Sequence, residues 1–187
     1  MTTLWKNKNI LITGAGSGIG QALAKLFASQ GAKLILTDIN TENLTQTTQA
    51  LGASVLIYKT ANASEKSDWV ALAHDIENKA GHLDVLINNA GMTSFGFFDE
   101  TSEALFDKVM DVNIKGVVMG CREMLPLLEK STRGMIVNVA SIFGLITMPM
   151  MTPYHASKFA VRGFTEALQQ DMIFQKKTID VIGVIPC

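Results

Sequence analysis

The apolar positions of this chain change period along its length. Residues 10–13 (ILIT) are a short apolar run ending at glycine, as a strand buried on both faces should be. Ile19, Leu23, Leu26 and Phe27 then recur at helical spacing across residues 19–30, and Gly31 follows as a C-cap. Residues 33–37 predict a second strand, and 42–51 a second helix capped by Asn40 or Thr41. A third strand is expected at 55–58 and a helix at 67–80 that stops at Gly81. Further strands are expected at 85–88, 135–139 and 180–185. Between them, residues 102–129 predict one long or two abutting helices, and 154–174 a last helix after a methionine-rich loop.

Strands that read as continuous apolar runs, separated by helices, imply a parallel sheet covered on both faces. Right-handed crossovers make this a doubly wound, three-layer α/β/α Rossmann fold. No linker, repeat or charge block divides the chain, so residues 1–187 are read as a single domain. A formal net charge of −1 gives no electrostatic case for nucleic acid or an anionic membrane. No apolar run approaches the ~20 residues of a membrane span, and the N-terminus lacks the pattern of a signal peptide. Cys121 and Cys187 match no disulfide framework, metal motif or redox motif. These features give the expectation of a cytoplasmic protein.

Candidate chemistry gathers at the C-terminal ends of the expected strands. Residues 13–20 read TGAGSGIG, directly after the first strand and opening the first helix. A loop without Cβ atoms lets the backbone approach a pyrophosphate, and the helix N-terminus supplies N–H donors and partial positive charge. Asp38, eighteen residues after Gly20, ends the second strand. An acid there accepts from ribose hydroxyls and repels a 2′-phosphate, which favours NAD over NADP. Tyr154 and Lys158 stand at i and i+4, hence on one helix face. A phenol is ordinarily a poor base at neutral pH, and a cation nearby favours its phenolate. Ser141 follows the fifth strand, where a hydroxyl can donate to a substrate oxygen.

Taken together, these residues resemble the short-chain dehydrogenase/reductase family in its ordinary, non-extended branch, over essentially the whole chain. Residues 13–20 resemble its cofactor loop, which implies Gly14, Ser17, Gly18, Ile19 and Gly20 as cofactor-binding, together with Asp38. NNAG, residues 88–91, resembles the motif after the fourth strand and implies Asn89, Ala90 and Gly91 at the cofactor. Asn113, Ser141, Tyr154 and Lys158 match the family's catalytic tetrad, with the same 13-residue step from Ser141 to Tyr154. The resemblance implies reversible alcohol–carbonyl oxidoreduction, with Tyr154 as general acid/base and Ser141 holding the substrate oxygen. Lys158 would tune the phenol and bind the nicotinamide ribose, and Asn113 would hold a water linking Lys158 to solvent. Tyr154 and Lys158 thus belong to the cofactor site as well.

The chain departs from the pattern in two places. Asn62-Ala63 stand where the family has an Asp-Val pair reading adenine, keeping a carbonyl acceptor and losing the charge. After Pro186 the family continues into Pro-Gly, a covering loop, a helical lid and a seventh strand, so the sixth strand is expected as an exposed edge. Met92, Phe95, Ile142, Leu145 and the run 148–151 border the expected pocket and suggest a small lipophilic secondary alcohol or ketone. A nucleotide-binding regulatory or scaffold protein, or an inactive truncated dehydrogenase, are the alternatives. The resemblance also implies a homo-oligomer, dimer or tetramer, for which Cys121 and the helix from Phe159 are candidate contacts. His74, His82 and His155 lack metal spacing, and no metal is expected.

Overall fold

A computed structural model describes residues 4–186. Its six strands are β1 (Asn9–Thr13), β2 (Lys33–Asp38), β3 (Val55–Thr60), β4 (Val85–Asn88), β5 (Gly134–Val139) and β6 (Ile179–Val184). They form one sheet in the order β3-β2-β1-β4-β5-β6, parallel throughout. The helices are α1 (Gly18–Ser29), α2 (Thr41–Leu51), α3 (Lys66–Ala80), α4 (Glu103–Met110), α5 (Gly116–Leu128) and α6 (Thr152–Phe174). This is the doubly wound fold expected from the alternation of periods.

Period two explains the two cores. Ile10, Ile12, Leu34, Leu36, Val85 and Ile87 pack with α1 and α2 on one face of the sheet. Their neighbours Leu11, Ile35 and Leu86 pack with residues of α3, α5 and α6 on the other. The central strands must therefore be apolar at every position, which is why they read as unbroken runs. β6 pairs with β5 alone and shows the limit of this rule. Ile179 and Val181 are buried, whereas Ile182 and Val184 on the opposite face are about two-fifths exposed.

Local signals settle most element ends. Asn40 caps α2, its Oδ1 accepting from Asn43 N at 2.9 Å, which decides between the two candidate caps. Gly81 takes a left-handed φ of +75° after α3. Residues 102–129 become α4 and α5, joined without a break by one widened π-helical turn, Asp111–Lys115. Such turns expand the usual hydrogen-bond ladder by one residue and are frequent at functional sites. Asn113 lies in the middle of it.

Cys121, expected as a contact between copies, is instead part of the interior at 4% exposure. Its thiol accepts from Asn88 Nδ2 at 3.4 Å and donates to Asn138 Oδ1 at 3.8 Å. Burial pushes its pKa up to about 12, so the thiol stays protonated and unreactive. No helix of the described residues is long and apolar enough to cross a membrane. No metal-binding group of three or more His, Cys, Asp or Glu side chains occurs among them.

Candidate active site

The sheet order places the site. The chain leaves β3 at one edge and re-enters the sheet beside β1 as β4, so the connections after β1 and β4 diverge in opposite directions. A crevice opens at such a switch point, outside the C-terminal ends of the strands. Here it is a cleft of about 510 Å³ bordered by the glycine loop, Asp38, residues 61–63 and residues 89–92.

The glycines divide the work. Gly14 and Gly18 have φ of +65° and +52°, values that side chains rarely adopt. A Cβ on Gly18 would meet nothing within 4 Å, so this glycine faces open space. A Cβ on Gly20 would lie 2.1 Å from the Gly14 carbonyl oxygen, so here glycine lets α1 close against the loop. Gly20→Ala is therefore expected to destabilise the protein by about 1–3 kcal/mol, as overpacking against backbone does. A urea titration of the variant beside the parent measures it. Ser17 occupies the N-cap position of α1 without a side-chain cap bond, and no acidic residue stands in the first turn. The helix therefore presents unsatisfied N–H groups to an anion.

The loop is also held from outside. Thr13 Oγ1 accepts from the backbone N–H groups of Asn89 (3.0 Å) and Ala90 (2.9 Å). In return Asn89 Nδ2 donates to the carbonyls of Thr13 (2.8 Å) and Gly14 (3.3 Å). Asn89 thus acts on the cleft through the loop it braces. Gly16 N donates to Asp38 Oδ2 and Asn40 N to Asp38 Oδ1, both at 2.8 Å. Two N–H groups hold the carboxylate in place and leave about two of its four acceptor directions for a ligand. Thr13 and Gly16 were missed by the reading of the sequence. The available signal was a buried hydroxyl ahead of the first glycine and a fourth glycine inside the loop.

Asn62 and Ala63 lie on the cleft wall. Asn62 Oδ1 accepts from Ser64 N (3.1 Å) and Ser64 Oγ (2.7 Å), and Asn62 N donates to Asp68 Oδ2 at 2.8 Å. The carbonyl acceptor expected to read a base is thus turned inward to Ser64. The Asn62 side chain then has its amide Nδ2 left to offer the cleft.

At the far end, a region of about 290 Å³ shares Ile19, Asn89, Gly91 and Met92 with the first and adds Tyr154 and Lys158. Lys158 Nζ lies 5.6 Å from the centre of the Tyr154 ring and donates to Val139 O at 2.9 Å. Lys158 is 5% exposed, and burial lowers its pKa to about 8. The Tyr154 hydroxyl has no hydrogen-bond partner among the described residues, which leaves it free for a ligand. Ser141 Oγ accepts from Phe143 N at 3.2 Å, capping a short 3-10 turn, and its own proton has no acceptor among the described residues. Phe143 packs edge-on to Tyr154, with ring centres 6.3 Å apart, which brings the turn to the same wall.

Asn113 is 1% exposed and fully engaged. Its Oδ1 accepts from Met92 N (2.8 Å), and its Nδ2 donates to Met92 O (2.8 Å) and Ser157 Oγ (2.9 Å). Ser157 Oγ in turn donates to the Tyr154 carbonyl at 2.7 Å. The side chain expected to hold a water ties residue 92 to the first turns of α6 instead. A Cβ on Gly91 would lie 3.2 Å from Asn113 Oδ1 and 3.7 Å from Lys158 Nζ, so glycine lets these groups meet.

A glycine loop over an open helix end, an acid beside it and a phenol–ammonium pair at the far end of the cleft define a dinucleotide-binding α/β protein. The family model for short chain dehydrogenases matches residues 8–187, and the chain belongs to that family of oxidoreductases. It is 40% identical over 185 residues to the putative oxidoreductase SadH of Mycobacterium tuberculosis, covering 97% of this chain and 67% of that protein. It is 36% identical over 181 residues to the 3-oxoacyl-[acyl-carrier-protein] reductase FabG of Thermotoga maritima, covering 95% and 73%. The crystal structure of a short chain dehydrogenase/reductase from Burkholderia phymatum in complex with NAD superposes with a TM-score of 0.94 at 36% identity, covering 97% of this chain and 66% of that one. The chain thus spans about two thirds of the length of the Mycobacterium and Burkholderia proteins and 73% of the Thermotoga reductase.

Proposed function

We propose that this chain is one dinucleotide-binding domain carrying the cofactor site and proton-transfer residues of an NAD-dependent dehydrogenase or reductase. Its substrate is a small lipophilic secondary alcohol or ketone. The observation that carries the reading is the burial of the Lys158 ammonium beside Tyr154 in a cleft continuous with the glycine loop. The residues present suit a dinucleotide. The open end of α1 and the space beside Gly18 accept the pyrophosphate, and Asp38 accepts from the adenosine ribose. When bound, the nicotinamide gives or takes the hydride.

The chain's own residues handle the proton. In reduction, the Tyr154 hydroxyl donates its proton to the carbonyl oxygen as that oxygen gains charge. Ser141 donates a second hydrogen bond to the same atom, stabilising the charge as it develops. In oxidation Tyr154 takes the proton back, with the Lys158 ammonium 5.6 Å from its ring centre. Asn113 positions the Met92 backbone and, through Ser157, the turn bearing Tyr154. A proton path from Lys158 to solvent that passes Asn113 would use its backbone rather than its occupied amide. Met92, Ile19 and Val139 in the region around Tyr154 support an apolar substrate.

Fluorescence titration with NADH and NADPH tests the cofactor half of this reading. NADH should bind more tightly, because the fixed Asp38 carboxylate repels a 2′-phosphate. Asp38→Ala is expected to weaken NADH by about tenfold or more, the loss of hydrogen bonds to a charged acceptor, and to narrow the gap to NADPH. Equal affinities for the two in the parent would sink the assignment. Binding of NADH without turnover on any of a broad panel of ketones would favour a regulatory role.

A further inference from the structure

His155 sits inside the tyrosine motif, is 6% exposed, and takes no part in the proton transfer described above. Its ring spans two points of the segment between β5 and α6. Nδ1 lies 3.0 Å from the Phe143 carbonyl oxygen, and Nε2 lies 3.1 Å from Met148 N. A carbonyl only accepts and a backbone N–H only donates, so the partners fix the tautomer: Nδ1–H donates to Phe143 O and Nε2 accepts from Met148 N. The Phe143 ring packs edge-on to the imidazole at 5.0 Å.

The segment so held has little else to hold it. Residues 145–151 contain no helix or strand. Leu145 N and Ile146 N reach back to Ile142 O, Gly96 N donates to Met150 O at 2.8 Å, and the His155 backbone N–H donates to Met151 O at 2.9 Å. Met150 takes a φ of +71°, a left-handed conformation unfavourable for a side-chain-bearing residue. Such a conformation persists only where the surroundings over-determine it; Met150 O itself accepts from Gly96 N, and the bonds at Met148 N and Met151 O flank it on the chain. Leu145, Ile146 and Met148 of this segment are exposed at 41%, 56% and 43%. Their placement is therefore set by backbone anchors, not by burial of their side chains.

We propose that His155 is the positioning residue of this substrate-side loop. By joining Phe143 and Met148 to the first turn of α6, it fixes the apolar wall and the turn capped by Ser141 relative to Tyr154. The role rests on the reading of this face as the substrate side.

Three variants separate the two hydrogen bonds. In His155→Gln the side-chain amide reaches the Nε2 position and keeps an acceptor for Met148 N. In His155→Asn the amide lies near Nδ1 and keeps a donor to Phe143 O only. In His155→Leu both bonds are lost. Hydrogen–deuterium exchange of residues 144–151, read by mass spectrometry on the full chain, should speed up by about tenfold in the Leu and Asn variants, the effect expected from one lost buried bond. The Gln variant should exchange at close to the parent rate. NADH affinity should stay within about twofold in all three, because the cofactor cleft is braced independently by Thr13, Asn89 and Asp38. For a ketone that the parent reduces, KM should rise by about tenfold in the Leu and Asn variants with a smaller change in kcat.

Parent-like exchange in both Leu and Asn variants overturns the proposal. So does faster exchange spread over the whole protein in all three, which would make His155 a general packing residue. If the Leu variant does not fold, the Asn–Gln pair decides, since equal exchange in the two removes the assigned role of Met148. The exchange readout needs no turnover. A parent inactive on every ketone would refute the proposed reaction and leave the loop assignment to be judged by exchange alone.

Discussion

Tyr154→Phe is expected to lower kcat by about 10²–10⁴-fold, the range for loss of a general acid–base, while NADH binds as it does to the parent. The substitution removes one oxygen and nothing else. The ring keeps its edge-on contact with Phe143 and its place beside the Lys158 ammonium. The lost hydroxyl has no hydrogen-bond partner among the described residues, so its removal orphans no buried group. Stability should therefore change little, and the loss of rate is separable from misfolding. Steady-state kinetics with a secondary alcohol or ketone, beside an NADH titration and a urea midpoint, measure all three. A kcat within about threefold of the parent would remove Tyr154 from the chemistry.

Lys158→Met should act in opposite directions on rate and on stability. Lys158 has an ordinary pKa of 10.5 that burial lowers to about 8 in the folded chain. Between those values the unfolded chain binds more protons than the folded one, so this group makes stability rise with pH across that window. Below pH 8 the ammonium is charged in both states and its burial is unfavourable. The fall from 10.5 to about 8 corresponds to ~3 kcal/mol, at about 1.36 kcal/mol per tenfold change in proton affinity. At pH 7 the methionine variant removes this cost and gives up the hydrogen bond to Val139 O, which returns about 1–3 kcal/mol. The net expectation is a variant at least as stable as the parent at pH 7, with a flatter rise toward pH 10.5. Urea titrations of both proteins at several pH values read the difference directly. A parallel pH dependence in the two would contradict the burial of this charge. Turnover should fall by about 10²-fold or more, because the ammonium beside Tyr154 is lost from the proton-transfer site. Greater stability with lost activity is the usual sign of a strained functional site.

The two variants also separate the parts of the site. Tyr154 lines the far end of the cleft, and its hydroxyl has no hydrogen-bond partner among the described residues. Lys158 belongs to the interior as much as to the cleft. Gly144 approaches its backbone closely enough that a Cβ there would lie 2.8 Å from the Lys158 carbonyl oxygen. Substitution of Lys158 is thus expected to be felt by the fold, and removal of the Tyr154 hydroxyl by the proposed reaction.

Much of this was legible along the chain. Six apolar runs became six parallel strands because a sheet covered on both faces needs apolar residues at consecutive positions. The glycine loop and Asp38 stand at strand ends, and the sheet order brings those ends to one crevice. Tyr154 and Lys158 share a helix face because one helical turn separates them. Boundaries differed by a residue or two where ladder pairing runs past the apolar stretch, as at β3, where Lys59 and Thr60 still pair with Thr37 and Asp38. Cys121 reads equally well as a surface or an interior residue of an amphipathic helix, and its position facing Asn88 and Asn138 made it interior.

The order of elements, the glycine loop, the acid after the second strand and the phenol–ammonium pair are all readable along the chain. Each depends on neighbours a few residues away, through side-chain period, φ freedom or helical spacing. How the polar groups are paired depends on the packed fold. Asp38 is clamped by Gly16, Thr13 by Asn89 and Ala90, Asn62 by Ser64, Asn113 by Met92 and Ser157, and His155 by Phe143 and Met148. Buried polar groups must find partners, and most of those partners lie on other strands and loops. Which one is in reach follows from the packing of the whole sheet, which no local pattern encodes.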